Sequence, residues 1–570
     1  MATKKDYIIF DKAPKITFTC NQSIYDWYSN TKESTERTTI SGTITTSDCD
    51  SKFILQDVAA QIKIRGNYTA NYSKKPFQIK FNEKQNLFSL SDNKKFKKWI
   101  LLAEYNDSSM LRNALSFYAG QQMLPNNTWS PTFTFAHFYI QDTEQLYYMG
   151  LYVLCDQKEQ AKSRVNVFEP EDGYNGTDIG YYFERDDYYD TSDDPTFVIQ
   201  NYEYEPTGLV RTSHESNRWA RQNSTQGQLN FDGFSVHSKV TNDQVQVPYL
   251  KERMLKIYEI IYRAVNQNVL YEVDANNNLI ASTETDSEKC LRKTLNLDSF
   301  VNMYILHEMV CNPDLGHSSF YFSLDMSESG DKLLTLTCPW DFDLALGLAR
   351  GFAEDPATAS LWAKECTLNP WISILVHADW FKALVDKRWQ ELYDQGILYK
   401  LLHILDDYST TYESDFEQNF TEWDMHFSGN NKTWNLDTPQ QIPTRFIRTK
   451  YFRDAHSEAD CKEYFKEWLN GRFVELHSDF NGQGSTDWPE PPEPPVPPVP
   501  PVPEDESVWE KAGSEHRYEL RGLSSDEKPT KETWPKLGDG SVLIEMDTSK
   551  IFVFDRQNGI WYEVKIKDAN

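Results

Sequence analysis

The chain has 570 residues, of which 39% are hydrophobic and 14% aromatic, so it is long and apolar enough for a folded core and more than one domain. Its formal net charge of -28 disfavours nucleic acid as a partner, because a phosphate backbone is bound by clustered Lys and Arg. No stretch approaches the roughly 18 consecutive apolar residues of a membrane span, so we expect no membrane partner either.

The first part of the chain is predicted to be rich in strands. Apolar and polar residues alternate through TTISGTITTS, VAAQIKIRGNYT and KKPFQIKF, which begin at residues 38, 58 and 74. One helix is predicted in NDSSMLRNALSFYAGQQML, where a capping residue is followed by apolar residues at helical spacing. We expect this helix to start near Asp107 or Ser108.

Beyond residue 240 the pattern becomes helical. The segments VPYLKERMLKIYEIIYRAVNQ and LDSFVNMYILHEMV each place apolar residues on one stripe, and Asp298 is the predicted N-cap of the second. We therefore predict an α+β fold, with a strand-rich lobe at about 14–235 and a helix-rich lobe at about 240–480. A cleft is expected between the two lobes.

A tight loop is predicted after the second of these helices. The helix must end at Asn312-Pro313, because the residue before a proline is pushed out of the α region. Asp314 and Ser318 then lie in a loop, and FYFSL resumes as a strand. Loops held by rigid elements often carry catalytic groups. The alternative is an ordinary turn, in which Asp314 bonds its own backbone.

Two further carboxylates lie in the segment CPWDFDLALG, at Asp341 and Asp343. If this segment is a strand that pairs with FYFSL as a hairpin, both side chains point to one face and lie near Asp314. Three carboxylates at a cleft suit a hard divalent cation, most simply Mg²⁺ that holds phosphates. For Asp343 the alternative is that it caps a following helix, LALGLA.

The opposite charge is supplied by the segment IKIRGNYTANYSKKPFQIKF. Arg65, Lys75 and Lys80 lie on or beside two adjoining strands, and a lysine next to a nucleotide triphosphate compensates its charge. Such a lysine is usually held by a carboxylate, for which the candidates are Asp156 in LYVLCDQ and Glu184 in YYFERDDYYD. The residues alone leave open which lysine and which carboxylate are used.

The clearest domain boundary is DWPEPPEPPVPPVPPVPED, residues 487–505. Repeated proline fixes φ and removes backbone donors, which predicts a semi-rigid polyproline II linker. It separates a domain at 1–486 from a tail at 506–570. The tail contains SVLIEMDTSKIFVFDRQNGIWYEVKI, which predicts strands with turns at Thr548-Ser549 and Asn558-Gly559, and therefore a small all-β module.

The ordered set of motifs resembles the CotH family, the spore-coat-protein-H-like kinases. The matching pieces are RGN followed by KKPFQIKF; WILLAEYNDSSMLRN; GLYVLCDQ with RVNVF after it; GYYFERD; NPD; and PWDFDLALG. The resemblance implies a divergent protein-kinase-like fold of two lobes. It also implies an atypical Ser/Thr kinase that uses ATP and Mg²⁺ to phosphorylate a protein acceptor.

The resemblance further implies roles for single residues. Asp314 would be the catalytic-loop aspartate, Asp341 would hold Mg²⁺, and the basic strand residues would contact the phosphates of ATP. Where the family often has an asparagine after the loop histidine, this chain has Ser318 after His317, and serine is a weaker metal ligand. We therefore expect Asp343 or water to complete the metal shell. This departure supports the alternative of a catalytically inactive CotH-fold structural or adhesion protein.

The tail is similar to small β modules at the ends of phage and prophage virion proteins, so we expect it to bind a coat or virion partner. The opening residues, MATKKDYIIFDKAPKITF, lack the apolar run of a secretory signal peptide. The eight cysteines are scattered without a C-x-x-C pair, which favours reduced thiols. A cytoplasmic or phage virion-associated protein is therefore expected.

Overall fold

The structure is a computed structural model of the chain. It describes residues 7–29, 37–66, 69–105, 107, 109–125, 128–200, 231–316, 318–348, 362–365, 369–423, 458–486, 519–522, 528–529, 541–545, 550–555 and 560–564. The chain divides into two compact units, Met1–Pro492 and Glu493–Asn570. The predicted linker at 487–505 lies outside the described residues.

The first unit opens with a sheet that closes on itself. Its strands are Lys15–Thr19 (β1), Ile40–Ser47 (β2), Val58–Ile64 (β3), Phe77–Gln85 (β4), Phe96–Leu102 (β5), Phe133–Gln141 (β6) and Leu146–Asp156 (β7). They pair in the order β1–β2–β3–β4–β5–β7–β6, and β6 closes the sheet by pairing in parallel with β1. The alternation predicted for β2, β3 and β4 is confirmed, since residues such as Ile44, Ile62 and Ile79 are fully buried.

A second sheet carries Glu184 on one of its strands. The remaining strands of the first unit are Gly180–Arg185 (β8), Thr196–Gln200 (β9), Phe231–Val236 (β10), Tyr271–Val273 (β11), Leu279–Ala281 (β12), Phe320–Asp325 (β13) and Thr335–Thr337 (β14). Five of these described strands pair in the order β14–β13–β8–β10–β9, while β11 pairs with β12. In the antiparallel pair of β13 and β8, Tyr321 lies opposite Glu184.

The hairpin predicted between FYFSL and CPWDFD is wrong in its register. The strand that forms a hairpin with β13 is β14, which ends at Thr337, before Cys338. Cys338 and Asp341 have φ values of 53° and 67°, in the left-handed region that a strand does not tolerate. Residues 338–342 therefore form an irregular loop, and residues 343–348 form turns instead of the predicted helix that Asp343 would have capped.

Helices cover the sheets. They are Tyr25–Ser29 (α1), Leu90–Asn93 (α2), Arg112–Met123 (α3), Asp243–Tyr262 (α4), Ser287–Leu291 (α5), Leu297–Val310 (α6), Trp362–Glu365 (α7), Pro370–Ser373 (α8), Asp379–Asp394 (α9), Ile397–Thr411 (α10), Glu413–Trp423 (α11) and Glu458–Asp479 (α12). The mixed α+β class is as predicted. A continuous hydrophobic core joins the first closed sheet to the helices, for example where Phe135 packs on Tyr408 at a ring distance of 5.2 Å.

Two predicted helix starts are displaced. Helix α3 begins at Arg112, because the carboxylate of Asp107 accepts the backbone N–H groups of Ser109 and Arg112 and holds the intervening residues in a turn. Ser108, the other predicted start, lies outside the described residues. Helix α6 is capped by Asn296 and not by Asp298, since the Asn296 side chain accepts the N–H of Ser299.

The second unit is a small sheet. Its described strands are Glu519–Gly522 (β15), Val542–Glu545 (β16), Ile551–Asp555 (β17) and Ile560–Glu563 (β18), paired in that order. Leu520, Leu543 and Phe554 form its buried core, and Trp561 packs on Phe554 at 4.9 Å. The predicted turns at 548–549 and 558–559 lie outside the described residues, between strands that pair antiparallel as the prediction requires.

The described cysteines are free thiols, at positions 20, 49, 155, 290, 311 and 338. Cys366 and the side chain of Cys461 lie outside the description. No helix in the described ranges combines the length and the apolar character that a membrane crossing requires.

Candidate active site

The loop after β14 places Asp341 and Asp343 side by side at the edge of a cleft. Phe342, between them, is fully buried, and its N–H donates to Asn113 Oδ1 on α3 at 2.8 Å. This bond fixes the backbone from which both carboxylates project. Burial raises the pKa of Asp341 against the attraction of Lys158, and burial together with the Asp341 carboxylate raises the pKa of Asp343 well above its usual range.

The loop after α6 brings Asp314 to the same place. Helix α6 ends at Val310, its C-cap Cys311 has a left-handed φ of 46°, and residues 313–316 form a single tight turn. Asn312 ties this turn to the aspartate loop: its Oδ1 accepts the N–H of Asp314 at 3.1 Å and its Nδ2 donates to the carbonyl of Asp341 at 3.3 Å. Asp314 is partly exposed. Its carboxylate is close enough to help raise the pKa of Asp343.

A serine contacts Asp341, but it is not the predicted one. Ser318 is partly exposed, and its N–H donates to the carbonyl of Asp314 at 3.2 Å. The hydroxyl of Ser319 instead donates to Asp341 Oδ2 at 3.2 Å, and Ser319 has a left-handed φ of 58°. The adjacent serines are indistinguishable in sequence, because only the backbone turn decides which side chain faces the cleft. His317 lies outside the described residues.

Two cations face these carboxylates across an aromatic wall. The Arg65 guanidinium lies 5.5 Å from the centre of the Trp340 ring, and the Lys158 ammonium lies 5.7 Å from the same ring and 4.1 Å from that of Tyr321. Both cations act to lower the pKa of Asp341, against the larger effect of burial. Arg65 thus lines the cleft together with Asp341 and Asp343.

Glu184 holds the lysine of this site. Its Oε2 lies 3.3 Å from Lys158 Nζ and 2.9 Å from His237 Nε2, while its Oε1 accepts the N–H of Ser319 at 2.8 Å. Against burial, Lys158 and His237 lower the pKa of Glu184 to about 2. His237 also bonds Asp194 at 2.8 Å, and these carboxylates raise the pKa of His237 although its burial opposes this. Glu184 is thus a fixed anion.

The lysines proposed from sequence lie elsewhere. The Lys75 ammonium donates to the carbonyls of Ala70 at 2.7 Å and Tyr72 at 3.1 Å, and burial lowers the pKa of Lys75 to about 8. Lys80 is exposed on the outer side of β4. Within the described ranges neither ammonium contacts the acidic residues of the cleft. Lys158 was not predicted, because one lysine after a strand carries no local signal of its partner.

Asp156, the second candidate for holding a lysine, is fully buried and has other partners. Its carboxylate accepts the N–H and the hydroxyl of Thr132 at 2.9 and 2.7 Å, and it pairs with Arg164 at 3.0 Å. The hydroxyl of Ser91 donates to the same group. Asp156 therefore joins β7 to its surroundings and positions Arg164 rather than Lys158.

Glu104 is a further acidic residue of the cleft that sequence reasoning missed. It follows β5 and is only 4% exposed, and its Oε1 accepts a hydrogen bond from Asn113 Nδ2 at 2.9 Å. Burial and the carboxylate of Asp107 raise the pKa of Glu104 to about 8. The cleft itself has a volume of about 40 Å³ and is lined by Arg65, Thr69, Tyr72, Pro76, Leu102, Ala103, Glu104, Tyr105, Asn113, Asp341 and Asp343.

A larger cavity of the first unit lies apart from these carboxylates. It has a volume of about 590 Å³ and lies between residues 160–169 and the β13–β14 hairpin. None of the cleft carboxylates lines it. Its size alone therefore does not make it the candidate active site, because charge and geometry converge at the smaller cleft.

The acidic side of the cleft fits a magnesium ion. Among the described residues no group of three or more His, Cys, Asp and Glu side chains is placed to hold a metal ion. Magnesium, however, is usually held by one or two carboxylates, with phosphates and waters in its other positions. Asp341 and Asp343 supply such a pair, and their repulsion for each other is what a divalent cation relieves.

Comparison with known families gives one match. The model of the family described as CotH kinase protein matches residues 62–451, which is more than half of the chain. The matched range contains all the cleft residues named above. No curated protein matches the chain.

Proposed function

The chain belongs to the CotH kinase protein family, and from this premise we propose that it is an atypical Ser/Thr protein kinase. It would transfer the γ-phosphoryl group of ATP to a hydroxyl of a protein acceptor. The observation that carries this proposal is that Asp341 and Asp343 line one cleft with Arg65, while Asp314 and Lys158 are close enough to influence these two carboxylates. Phosphoryl transfer needs mainly positioning and neutralisation of charge, which such a set supplies.

Asp314 is the residue we assign to the acceptor. Its carboxylate is partly exposed, as a group must be that meets a protein substrate, and Asn312 holds its backbone in a fixed relation to Asp341. In this role Asp314 orients the acceptor hydroxyl and accepts its proton as the oxygen attacks the γ-phosphorus. Positioned general bases contribute roughly 10²- to 10⁴-fold to a rate.

Asp341 and Asp343 are the residues we assign to Mg²⁺. When bound, the ion neutralises the negative charge of the triphosphate. Ser319 orients the Asp341 carboxylate through its hydroxyl, in place of the predicted metal ligand Ser318. On the opposite side, Arg65 and Lys158 hold phosphate oxygens, and Glu184 keeps the Lys158 ammonium in place by its ion pair.

The size of the cleft limits what it contains. A volume of about 40 Å³ suits a cation with one or two waters, but not a whole nucleotide. The cleft is therefore proposed to hold the cation, while the phosphates and the rest of ATP extend beyond it. The aromatic faces of Trp340 and Tyr321 are already occupied by the two cations, so they are not proposed as the adenine site.

The second unit is proposed to bind a coat or virion partner. Its edge strand β18 and the residue after it expose the apolar side chains of Ile560, Tyr562 and Val564, which are 49%, 53% and 43% exposed. Alternate residues of a strand lie on one face, so these three form a single apolar stripe. We propose an association of the whole chain with a phage particle or coat because its tail resembles small β modules of virion proteins.

The test is phosphoryl transfer by the purified chain. Wild type is incubated with labelled ATP, Mg²⁺ and a Ser-rich basic peptide, alongside Asp314→Asn and Asp341→Asn. Asp298→Asn serves as the matched control, because the exposed Asp298 side chain forms a surface ion pair with Arg292 at 3.0 Å, away from the cleft. Labelling by wild type and the control but not by the other two is expected. Equal labelling by all four chains defeats the assignment, and no labelling by any of them favours an inactive structural or adhesion protein.

A further inference from the structure

We propose that His237 is a positioning residue of the candidate site, which acts through Glu184 to keep the Lys158 ammonium available to a phosphate. The inference rests on the proposed function, since it takes Lys158 to bind ATP. Nothing in the family match assigns a role to this histidine. It is carried by the contacts of one carboxylate oxygen, which the imidazole and the ammonium share.

Both ring nitrogens of His237 face a carboxylate. Nε2 lies 2.9 Å from Glu184 Oε2, and Nδ1 lies 2.8 Å from Asp194 Oδ2. An ionised carboxylate only accepts hydrogen bonds, whereas a neutral imidazole has a single N–H to donate. Both contacts are therefore satisfied only when the ring carries two N–H groups and a positive charge. In keeping with this geometry, burial opposes the charge but the bonds to Asp194 and Glu184 raise the pKa of His237.

The second sheet fixes the place of the imidazole. His237 follows β10 directly, and its backbone N–H donates to the carbonyl of Tyr182 on β8 at 2.8 Å. Its ring packs on the rings of Tyr182 and Tyr321, with centres 5.7 and 6.0 Å away. The side chain is 21% exposed, so protons exchange with solvent while the ring stays in place. The charged groups that face the ring are Glu184 on β8, Asp194 before β9 and Lys158 after β7.

Glu184 Oε2 is the acceptor that His237 and Lys158 share. It lies 2.9 Å from His237 Nε2 and 3.3 Å from Lys158 Nζ, while Oε1 accepts the N–H of Ser319 at 2.8 Å. His237 and Ser319 thus orient the carboxylate from two sides. Among the residues that the structure describes, Glu184 is the only hydrogen-bond acceptor of the Lys158 ammonium, which has three N–H groups. N–H groups of Lys158 therefore remain for a phosphate oxygen.

Loss of the imidazolium is expected to weaken ATP binding for two reasons. Glu184 keeps Lys158 as its one cationic partner, so the ion pair tightens and the ammonium competes less well for a phosphate. A positive charge close enough to repel Lys158 also disappears from the neighbourhood of the phosphates. The competing explanation is a purely structural role for His237, which predicts lower stability, unchanged ATP affinity and no change in the pH dependence of that affinity.

The experiment makes two measurements on the full chain. Ring ¹⁵N chemical shifts, with the signals of His237 assigned by their absence from His237→Phe, report how many ring nitrogens are protonated at pH 7. Titration of a fluorescent ATP analogue with Mg²⁺ gives dissociation constants between pH 6 and pH 9. His237→Phe keeps an aromatic ring and removes both N–H groups. His403→Phe is the matched control, because the His403 side chain on α10 is 56% exposed.

We expect both nitrogens of His237 to be protonated at pH 7. At pH 6 the dissociation constant of His237→Phe is expected to be roughly tenfold that of wild type, and His403→Phe is expected to match wild type. The raised pKa means that the charged form, and with it the contribution to binding, is complete below pH 6.5 and is lost as the pH rises through the folded-state value. The difference between wild type and His237→Phe should therefore shrink towards pH 9.

A second variant guards against misfolding. Asp194→Asn keeps an oxygen that accepts from His237 Nδ1 and removes the charge, and the Asp194 side chain is 49% exposed. Its dissociation constant is expected to exceed that of wild type by roughly threefold at pH 7, because the imidazolium is less stabilised. Urea denaturation shows whether each variant is folded. If His237→Phe does not fold, Asp194→Asn decides the question.

Three results overturn the inference. A single protonated nitrogen on His237 at pH 7 contradicts the contacts on which it rests. An affinity of folded His237→Phe within twofold of wild type, or a loss that is the same at every pH, removes the role of the charge and leaves the proposed function standing. Absence of ATP binding to wild type removes the proposed function, and the role of His237 with it.

Discussion

Replacement of Lys158 by methionine tests which lysine of this chain grips the phosphates. Methionine keeps much of the apolar stem and removes the ammonium that lies 3.3 Å from Glu184. If that ammonium bonds a phosphate oxygen, its loss removes a charge-assisted hydrogen bond worth about 1.5–3 kcal/mol. The dissociation constant for ATP is then expected to rise roughly 10- to 150-fold.

The stability of the fold is expected to change much less than the affinity. Breaking a buried ion pair usually costs about 3–5 kcal/mol, because one charge is left without a partner. Glu184 retains His237 Nε2 at 2.9 Å and the N–H of Ser319 at 2.8 Å after Lys158 is removed. We therefore expect Lys158→Met to lower the free energy of unfolding by only about 1 kcal/mol.

The other two lysines provide matched controls in the same assay. Titration of a fluorescent ATP analogue with Mg²⁺ measures affinity, and urea denaturation measures stability. Lys80→Met is expected to change neither, because Lys80 is exposed. Lys75→Met is expected to lose stability, since it leaves the carbonyls of Ala70 and Tyr72 short of a donor, but to bind ATP like wild type. Affinity of Lys158→Met within threefold of wild type, or an equal loss in Lys80→Met, refutes the reasoning.

Three further predictions concern the support of the site. Asn113→Ala leaves the buried N–H of Phe342 without its acceptor, so the free energy of unfolding measured by urea denaturation should fall by about 1–3 kcal/mol. A decrease below about 0.5 kcal/mol contradicts the role of Asn113 in holding the loop of Phe342. Asp156→Ala breaks the buried ion pair with Arg164, so it should lower the free energy of unfolding by about 3–5 kcal/mol. The protein that remains folded should bind ATP like wild type. Weaker ATP binding would show that Asp156 belongs to the site. Burial lowers the pKa of His307 to about 3. The contribution of this histidine to the free energy of unfolding should therefore be complete above pH 6.5 and decrease as the pH falls towards 3. At pH 4, protonation of His307 alone should lower the free energy of unfolding by about 3 kcal/mol. His307→Leu should reduce the difference in this free energy between pH 7 and pH 4 by the same amount. An unchanged difference refutes the prediction.

Local sequence patterns predicted the positions of strands and helix ends well, but they predicted poorly which segments pair with each other. The alternation in β3 and β4 marked both strands, and Asn312-Pro313 marked the end of α6. The same reasoning placed Asp341 in a strand, because an apolar run with alternate aspartates is typical of one. Two left-handed residues, Cys338 and Asp341, break that strand, and no periodicity signals a single dihedral.

The sequence by itself determined the α+β class, the strands that alternate, the tight loop of Asp314 and the run of proline near residue 490. Tertiary structure alone decided that Glu184 meets Lys158, that Ser319 and not Ser318 faces Asp341, and that Asn113 bonds Phe342 across 229 positions of the chain. The reason is physical. Periodicity and turn preference arise from interactions within a few residues, whereas these contacts depend on how β8 and β13 pair and on how α3 packs against a loop that is distant in sequence.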